Sequence, residues 1–180
     1  DFISFSYERF LPTNATLKFS TQAAWGTHVE NTLQVFISDS FDGLSYKLVY
    51  NAVDSVYVPE FDFNSDSTKV STHNWTNIST LSNLPIAANQ KRDAVIPINE
   101  YRGKNLVIAF RYKTEYAPDW QPLWSITDLL IENTRITDDS NVSTYLAATM
   151  GFTPFDILNR ANPYRNESVS GSWSTANPAA

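Results

Sequence analysis

The stretch "NLVIAFRYKT", residues 105–114, alternates along its length: Leu106, Ile108, Phe110 and Tyr112 fall on one side, and Val107, Ala109, Arg111 and Lys113 on the other. Successive side chains of a strand point to opposite faces, so a period of two predicts a strand with one face turned to a core. The same period recurs in "TLQVFISDS" (32–40), where Leu33, Val35 and Ile37 oppose Gln34, Phe36 and Ser38. It recurs again in "ATLKFSTQ", "SYKLVYN", "SVYVPEF", "DAVIPIN" and "LWSITDLLIEN". Between these runs lie turn-rich stretches such as "SDSFDG", "NSDST" and "NEYRGKN". About eight short strands with no intervening helices predict an all-β, antiparallel sandwich, because parallel strands need crossover helices.

Composition narrows the function classes. The chain has 180 residues, 42% of them hydrophobic and 18% charged, which suits a globular domain with a sizeable core. A net charge of −6 with no run of Lys or Arg disfavours a phosphate backbone, so no nucleic acid partner is expected, and it disfavours an anionic membrane surface equally. With no cysteine there is neither a disulfide framework nor thiolate chemistry. No apolar run approaches the length of a transmembrane helix. The chain opens in strand-like "DFISFSY" without Met, which reads as a mature or trimmed fragment. After Asn133 the composition shifts: "DDSNVSTYLAATMGF" and "TPFDILNRANP" predict one or two short helices, followed by a small, polar tail. The expected organisation is a domain over 1–133 and a short, partly helical C-terminal extension over 134–180.

Several of these stretches resemble one family in their order along the chain. "INEYRGKNLVIAFRY" followed by "LWSITDLLIEN" resembles the closing hairpin of the choice-of-anchor J type jelly roll, a relative of MAM and carbohydrate-binding jelly rolls. Gly103, Lys104, Ile108, Ala109, Phe110, Arg111 and Tyr112 match its first strand, and Trp124, Ile126, Leu129 and Ile131 its second. "LQVFISDSFDG" resembles the strand and turn that precede them, and "DFIS" the family's opening D-W-L-I-S strand, with Phe2 in place of Trp. Thr127 stands where that family usually has Asp, and the loop "KTEYAPDWQPL" is longer than usual. The tail "SGSWSTANPAA" resembles the strand that normally precedes D-W-L-I-S, so the extension reads as a permuted strand or the start of another module. The resemblance implies a jelly-roll β-sandwich from a surface lipoprotein of Bacteroidetes, including an uncharacterised lipoprotein family of that phylum. It also implies export to the cell surface or outer membrane, with a lipid anchor outside this chain.

Catalytic motifs find little support. The five glycines, at 26, 43, 103, 151 and 171, are too far apart for G-x-S-x-G, G-x-G-x-x-G or a P-loop. His28 and His73 are the only histidines, so a three-His zinc site cannot form. Carboxylates able to pair across a face for glycoside hydrolysis include Glu60, Asp62, Glu100, Glu115 and Asp119, but any acidic domain offers such pairs. The chain is read as no enzyme, with glycoside hydrolase as the third of three readings.

Two places invite a metal. In "DFNSDSTKV" (62–70), Asp62, Asn64 and Asp66 alternate as a hard oxygen site would want. Ser67 and His73 then stand where a helical calcium loop needs Gly and Glu, so the stretch reads as a polar turn with at most weak calcium binding at Asp62 and Asp66. Strict alternation puts Asp128 on the face of Trp124, Ile126 and Leu130, partly buried and in need of either a structural calcium or a hydrogen bond from a neighbouring loop.

Glycan binding needs exposed flat rings flanked by polar side chains. The best local candidate is "KTEYAPDWQPLW", where Tyr116 and Trp120 have Glu115, Asp119 and Gln121 beside them and Pro118 and Pro122 stiffen the loop. Trp75 in "HNWTNIST" is a second candidate, with Tyr46, Tyr50 and Tyr57 on a neighbouring face. The resulting expectation is a non-catalytic surface module that binds a polysaccharide or glycan by aromatic stacking. The alternative is a structural or docking module that meets other surface lipoproteins, and a docking face would show a wider contiguous apolar patch.

Overall fold

The computed structural model describes residues 14–113, 121–134, 142–146 and 172–174. Among these it contains ten strands: β1 (Asn14–Ala23), β2 (Leu33–Ser38), β3 (Tyr46–Asn51), β4 (Val56–Phe61), β5 (Thr76–Asn77), β6 (Gln90–Pro97), β7 (Val107–Tyr112), β8 (Trp124–Thr134), β9 (Val142–Leu146) and β10 (Ser172–Ser174). One α-helix, α1 (Phe63–Thr72), and two short 3-10 turns, Ser79–Leu81 and Asn99–Tyr101, complete it. All strand pairs are antiparallel, as the lack of crossover helices between the strand stretches predicts. The larger sheet runs β10-β8-β1-β6, with β9 also on β8; a second runs β5-β2-β7; β3 and β4 form a hairpin of their own. Because β1 occupies one edge of β8 along its length, β9 and β10 share the other, at opposite ends.

The first two sheets face each other across one core. Leu17 and Phe19 of β1, Ala94 and Ile96 of β6, and Trp124 and Ile126 of β8 meet Leu33, Val35 and Ile37 of β2. Leu106, just before β7, and Ile108, Phe110 and Tyr112 within it pack against this cluster while partly buried, on the face their alternation assigns them. The Phe19 and Phe110 rings cross between the sheets, edge to face at 5.3 Å. The buried Trp124 indole N–H donates to Thr32 Oγ1 at 3.0 Å, and that hydroxyl donates to the Val29 carbonyl at 2.7 Å. A large ring is thereby buried with its one polar atom satisfied. Each such side chain withdrawn from water contributes about 1.5–3 kcal/mol. Pro97, which cannot donate to a ladder, ends β6 at the edge of the larger sheet.

Three expectations are corrected. Asp128 does not share the face of Trp124. Lys18 pairs with Leu130 and Ser20 with Thr127, so Asp128 and Leu129 together oppose Phe19 in a β-bulge, with Asp128 at φ +55°. The extra residue shifts the alternation by one, turning Leu129 inward and leaving Asp128 exposed, where its carboxylate accepts from Thr127 Oγ1 at 3.0 Å. The polar turn expected around 64–68 is instead the helix α1. Its Ser and Thr hydroxyls bond back to carbonyls a turn earlier, Thr68 to Asn64 at 3.1 Å and Thr72 to Thr68 at 2.8 Å, so these hydroxyls find partners within the helix they would otherwise compete with. Finally, residues 142–146, expected in a helix, form β9, in keeping with the strand preference of Val142, Thr144 and Tyr145. The remainder of the expected helices lies outside the described residues.

Candidate functional site

Of the loop expected to carry a stacking platform, Glu115, Tyr116, Asp119 and Trp120 lie outside the described residues. Gln121 is described, and it does not face solvent. It is buried, and its Oε1 accepts the Tyr112 hydroxyl at 2.9 Å. Burial pushes the Tyr112 phenol up to about 12, so it stays a neutral donor to Gln121 well past ordinary conditions. Just beyond, Ala24 N–H donates to the Leu123 carbonyl at 2.9 Å, and Gly26, at φ +115°, lies where a Cβ would sit 2.7 Å from Pro122 N. Gln121 therefore helps seat the loop's return onto the sandwich, a task that leaves its amide unsuited to greet a ligand.

Trp75 is committed to packing. Its indole N–H donates to the Val70 carbonyl at 2.9 Å, closing the last turn of α1. Its ring lies 4.9 Å from both Phe41 and His73, and those two are 5.1 Å apart. Lys69 extends over the Phe41 ring at 5.8 Å and pairs with Asp42 at 2.8 Å, which holds the Asp42 carboxyl below the usual range through the hydrogen bond and the adjacent charge. The cluster thus fastens α1 to the turn after β2. Within it, Ser38 Oγ and His73 Nε2 are 2.7 Å apart, a spacing a nucleophile–base pair would need. Ser38 is buried, however, and its oxygen already accepts the Ser40 and Phe41 amides at 3.1 Å each. With both lone pairs engaged, that oxygen caps a turn and has little left for attack on a carbonyl.

The acidic stretch does not bring its three side chains together. Residues two apart on a helix do not face each other, so Asn64 points away from Asp62 and Asp66. Among the described residues no three acidic or histidine side chains converge as metal ligands, either here or around Asp128. Asp66 has a different task. Its side chain is 0% exposed, and Oδ1 accepts the Ser45 amide at 2.7 Å. Asp62 N–H donates to the Ser45 carbonyl at 3.3 Å. Both groups of Ser45 are thus held by the first turn of α1, which sets where the chain departs into β3. Asp66 Oδ2 is buried with no partner.

The hairpin that starts there presents a surface of exposed rings. Tyr46 pairs with Phe61, Leu48 with Pro59 and Tyr50 with Tyr57, which puts Tyr46, Leu48, Tyr50 and Tyr57 on one face. On that face Tyr46 is 61% exposed, Leu48 68%, Tyr50 53% and Tyr57 67%, and the Tyr50 and Tyr57 rings lie 5.4 Å apart. The opposite face carries Lys47 across from Glu60 and the half-buried pair Val49 and Val58. At the tip, Asn51 Oδ1 accepts the Val53 amide at 3.0 Å and Asn51 Nδ2 donates to Asp54 at 2.7 Å, and Ser55 turns the chain at φ +54°. These tyrosines stood second to the 115–121 loop in the sequence. The signal for them was Y-x-L-x-Y followed by a turn and V-Y-V, where large apolar residues occupy both faces of a strand pair too short to bury either.

A family model matches residues 4–152. The chain belongs to the family described as a domain of unknown function, DUF5017. No curated protein and no solved structure shows significant similarity to it. The match extends past Asn133 and includes β9, which continues the larger sheet of the DUF5017 fold. Among the described residues no helix is long and apolar enough to cross a membrane.

Proposed function

We propose that this DUF5017 domain is a non-catalytic binding module that takes a polysaccharide on the tyrosine face of the β3–β4 hairpin. The carrying observation is that face: three tyrosines and a leucine, each more than half exposed, on a scaffold pinned to α1 through Ser45. Sugar CH faces stack on such rings, and phenol hydroxyls at the ring ends bond to sugar hydroxyls. The motif resemblance to choice-of-anchor J jelly rolls supports a jelly-roll strand arrangement and a place on an exported surface lipoprotein of Bacteroidetes.

A second reading has its own observation. Leu48 at mid-face, with Val53 exposed at the tip, widens the apolar patch beyond what sugar stacking needs and fits docking to another surface protein. Screening the isolated domain on immobilised polysaccharides separates the two. Retention on a glycan that Tyr57→Ala abolishes, with an unchanged melting curve, supports the binding module. Retention on no glycan, together with capture of a neighbouring surface protein, replaces it with docking.

A further inference from the structure

The tyrosine face is uncharged from end to end. Lys47 and Glu60, the charged residues of β3 and β4, alternate onto the opposite face, and Asp54 lies in the turn. Residues 46–61 hold one cation, Lys47, against two anions, Asp54 and Glu60, in a chain of net charge −6. Elsewhere Lys18 is paired with Glu132, Lys69 with Asp42 and Lys104 with Asp39, while Arg111 binds Gln34 and lies over Phe36. A uronate or sulfate group laid on the hairpin would meet no cation on that face and a repulsive field from the rest of the chain.

The spacing of the rings adds a second constraint. Tyr46 and Tyr50 are four residues apart on one strand, with Leu48 between them and Tyr57 across from Tyr50. At about 3.4 Å per residue the face runs roughly 14 Å, the length of about three pyranose rings in an extended chain. An extended row of rings along a strand pair matches an extended ligand. Chains of hexopyranose joined through equatorial bonds form such ribbons, with CH groups on both faces and hydroxyls at the edges.

From these two features, and resting on the binding-module reading, we infer that the hairpin selects an uncharged, extended, equatorially linked hexopyranose chain seated along Tyr46, Leu48 and the Tyr50–Tyr57 pair. The test is titration calorimetry of the domain with soluble mixed-linkage β-glucan, its oligosaccharides from disaccharide to hexasaccharide, polygalacturonate and heparin, at low and high salt. The expected result is binding of the neutral glucan with affinity insensitive to salt, rising with oligosaccharide length until about three or four rings are covered and then levelling. Tyr50→Ala and Tyr57→Ala are each expected to weaken it about ten-fold or more, the effect of losing about 1.4 kcal/mol. Leu48→Glu, at a side chain already exposed, provides a variant that folds without disturbing the core, and it too should abolish binding. Preference for polygalacturonate or heparin that fades with salt overturns this inference while leaving glycan binding intact. Neutral binding unaffected by all three variants removes the ligand from the hairpin. Binding of no sugar overturns both this inference and the reading it rests on.

Discussion

Replacing Trp124 by Ala tests whether the two sheets close on each other as described. The indole is buried between β1, β8 and the start of β2, and its N–H bond to Thr32 crosses from one sheet to the other. Truncating a buried aromatic to Ala costs about 3–5 kcal/mol, the sum of lost transfer energy and the cavity left behind. Losing the Thr32 hydrogen bond is part of that figure, about 1 kcal/mol of it. Trp124→Phe isolates the parts: it keeps a ring in the cavity but removes the donor, and about 1–2 kcal/mol should be lost. For a chain of this size each kcal/mol moves the Tm by about 2–4 °C, so the Ala variant should melt roughly 6–20 °C lower. Urea denaturation followed by circular dichroism gives the free energies, and an unchanged m-value shows that both variants start from the same fold. A loss below about 1 kcal/mol for Trp124→Ala would mean that the indole does not bridge the sheets.

Other outcomes follow from particular contacts. At the bulge, Asp128→Gly should be neutral or stabilise by up to about 1 kcal/mol, whereas Asp128→Val should cost about 1–2 kcal/mol, since φ +55° penalises a β-branched residue; the reverse order in urea melts refutes the bulge. Asp66→Ala should cost about 1–3 kcal/mol by leaving the Ser45 amide unpaired, and limited proteolysis should cut within 45–61 faster than in the wild type; equal cutting means the clamp is not what holds the hairpin. The Tyr112 phenol, raised to about 12 by burial, is neutral in the fold where a free tyrosine ionises near 10. Its contribution to stability is therefore complete below about pH 10 and lost as pH rises towards 12, and Tyr112→Phe should flatten the alkaline limb of the stability profile.

The sandwich was legible because its strands obey a period of two. Leu33, Val35 and Ile37 turn inward as read, and Leu106, Ile108 and Phe110 share the core-facing side. What escaped reading broke that period. A bulge at Asp128 shifts the alternation by one, and nothing in "SITDLLI" marks it, because Asp is only a modest substitute for the glycine that usually signals a left-handed residue. The helix α1 was hidden for a different reason: "FNSDSTKVST" has the composition of a loop, and its helix is anchored by contacts the fold supplies, Asp66 to Ser45, Lys69 to Asp42 and Trp75 to Val70. Gln121 looked like a ligand-binding amide beside a tryptophan, yet its partner, Tyr112, sits nine positions earlier on β7 and is brought to it by the fold. The tyrosines of 46–57 were legible as a candidate ring face, but their rank above the 115–121 loop was not, since exposure depends on what the rest of the chain leaves uncovered.

The claim at the centre of this account is that a glycan lies on the β3–β4 hairpin. Nuclear magnetic resonance of the domain, titrated with soluble mixed-linkage β-glucan, locates any contact directly. Shifts should concentrate in residues 46–58, with the ring signals of Tyr46, Tyr50 and Tyr57 moving together and the core signals of Leu17, Val35 and Trp124 unmoved. Shifts centred on Tyr116 and Trp120 with a silent hairpin, or a spectrum that does not change across the titration, would contradict it.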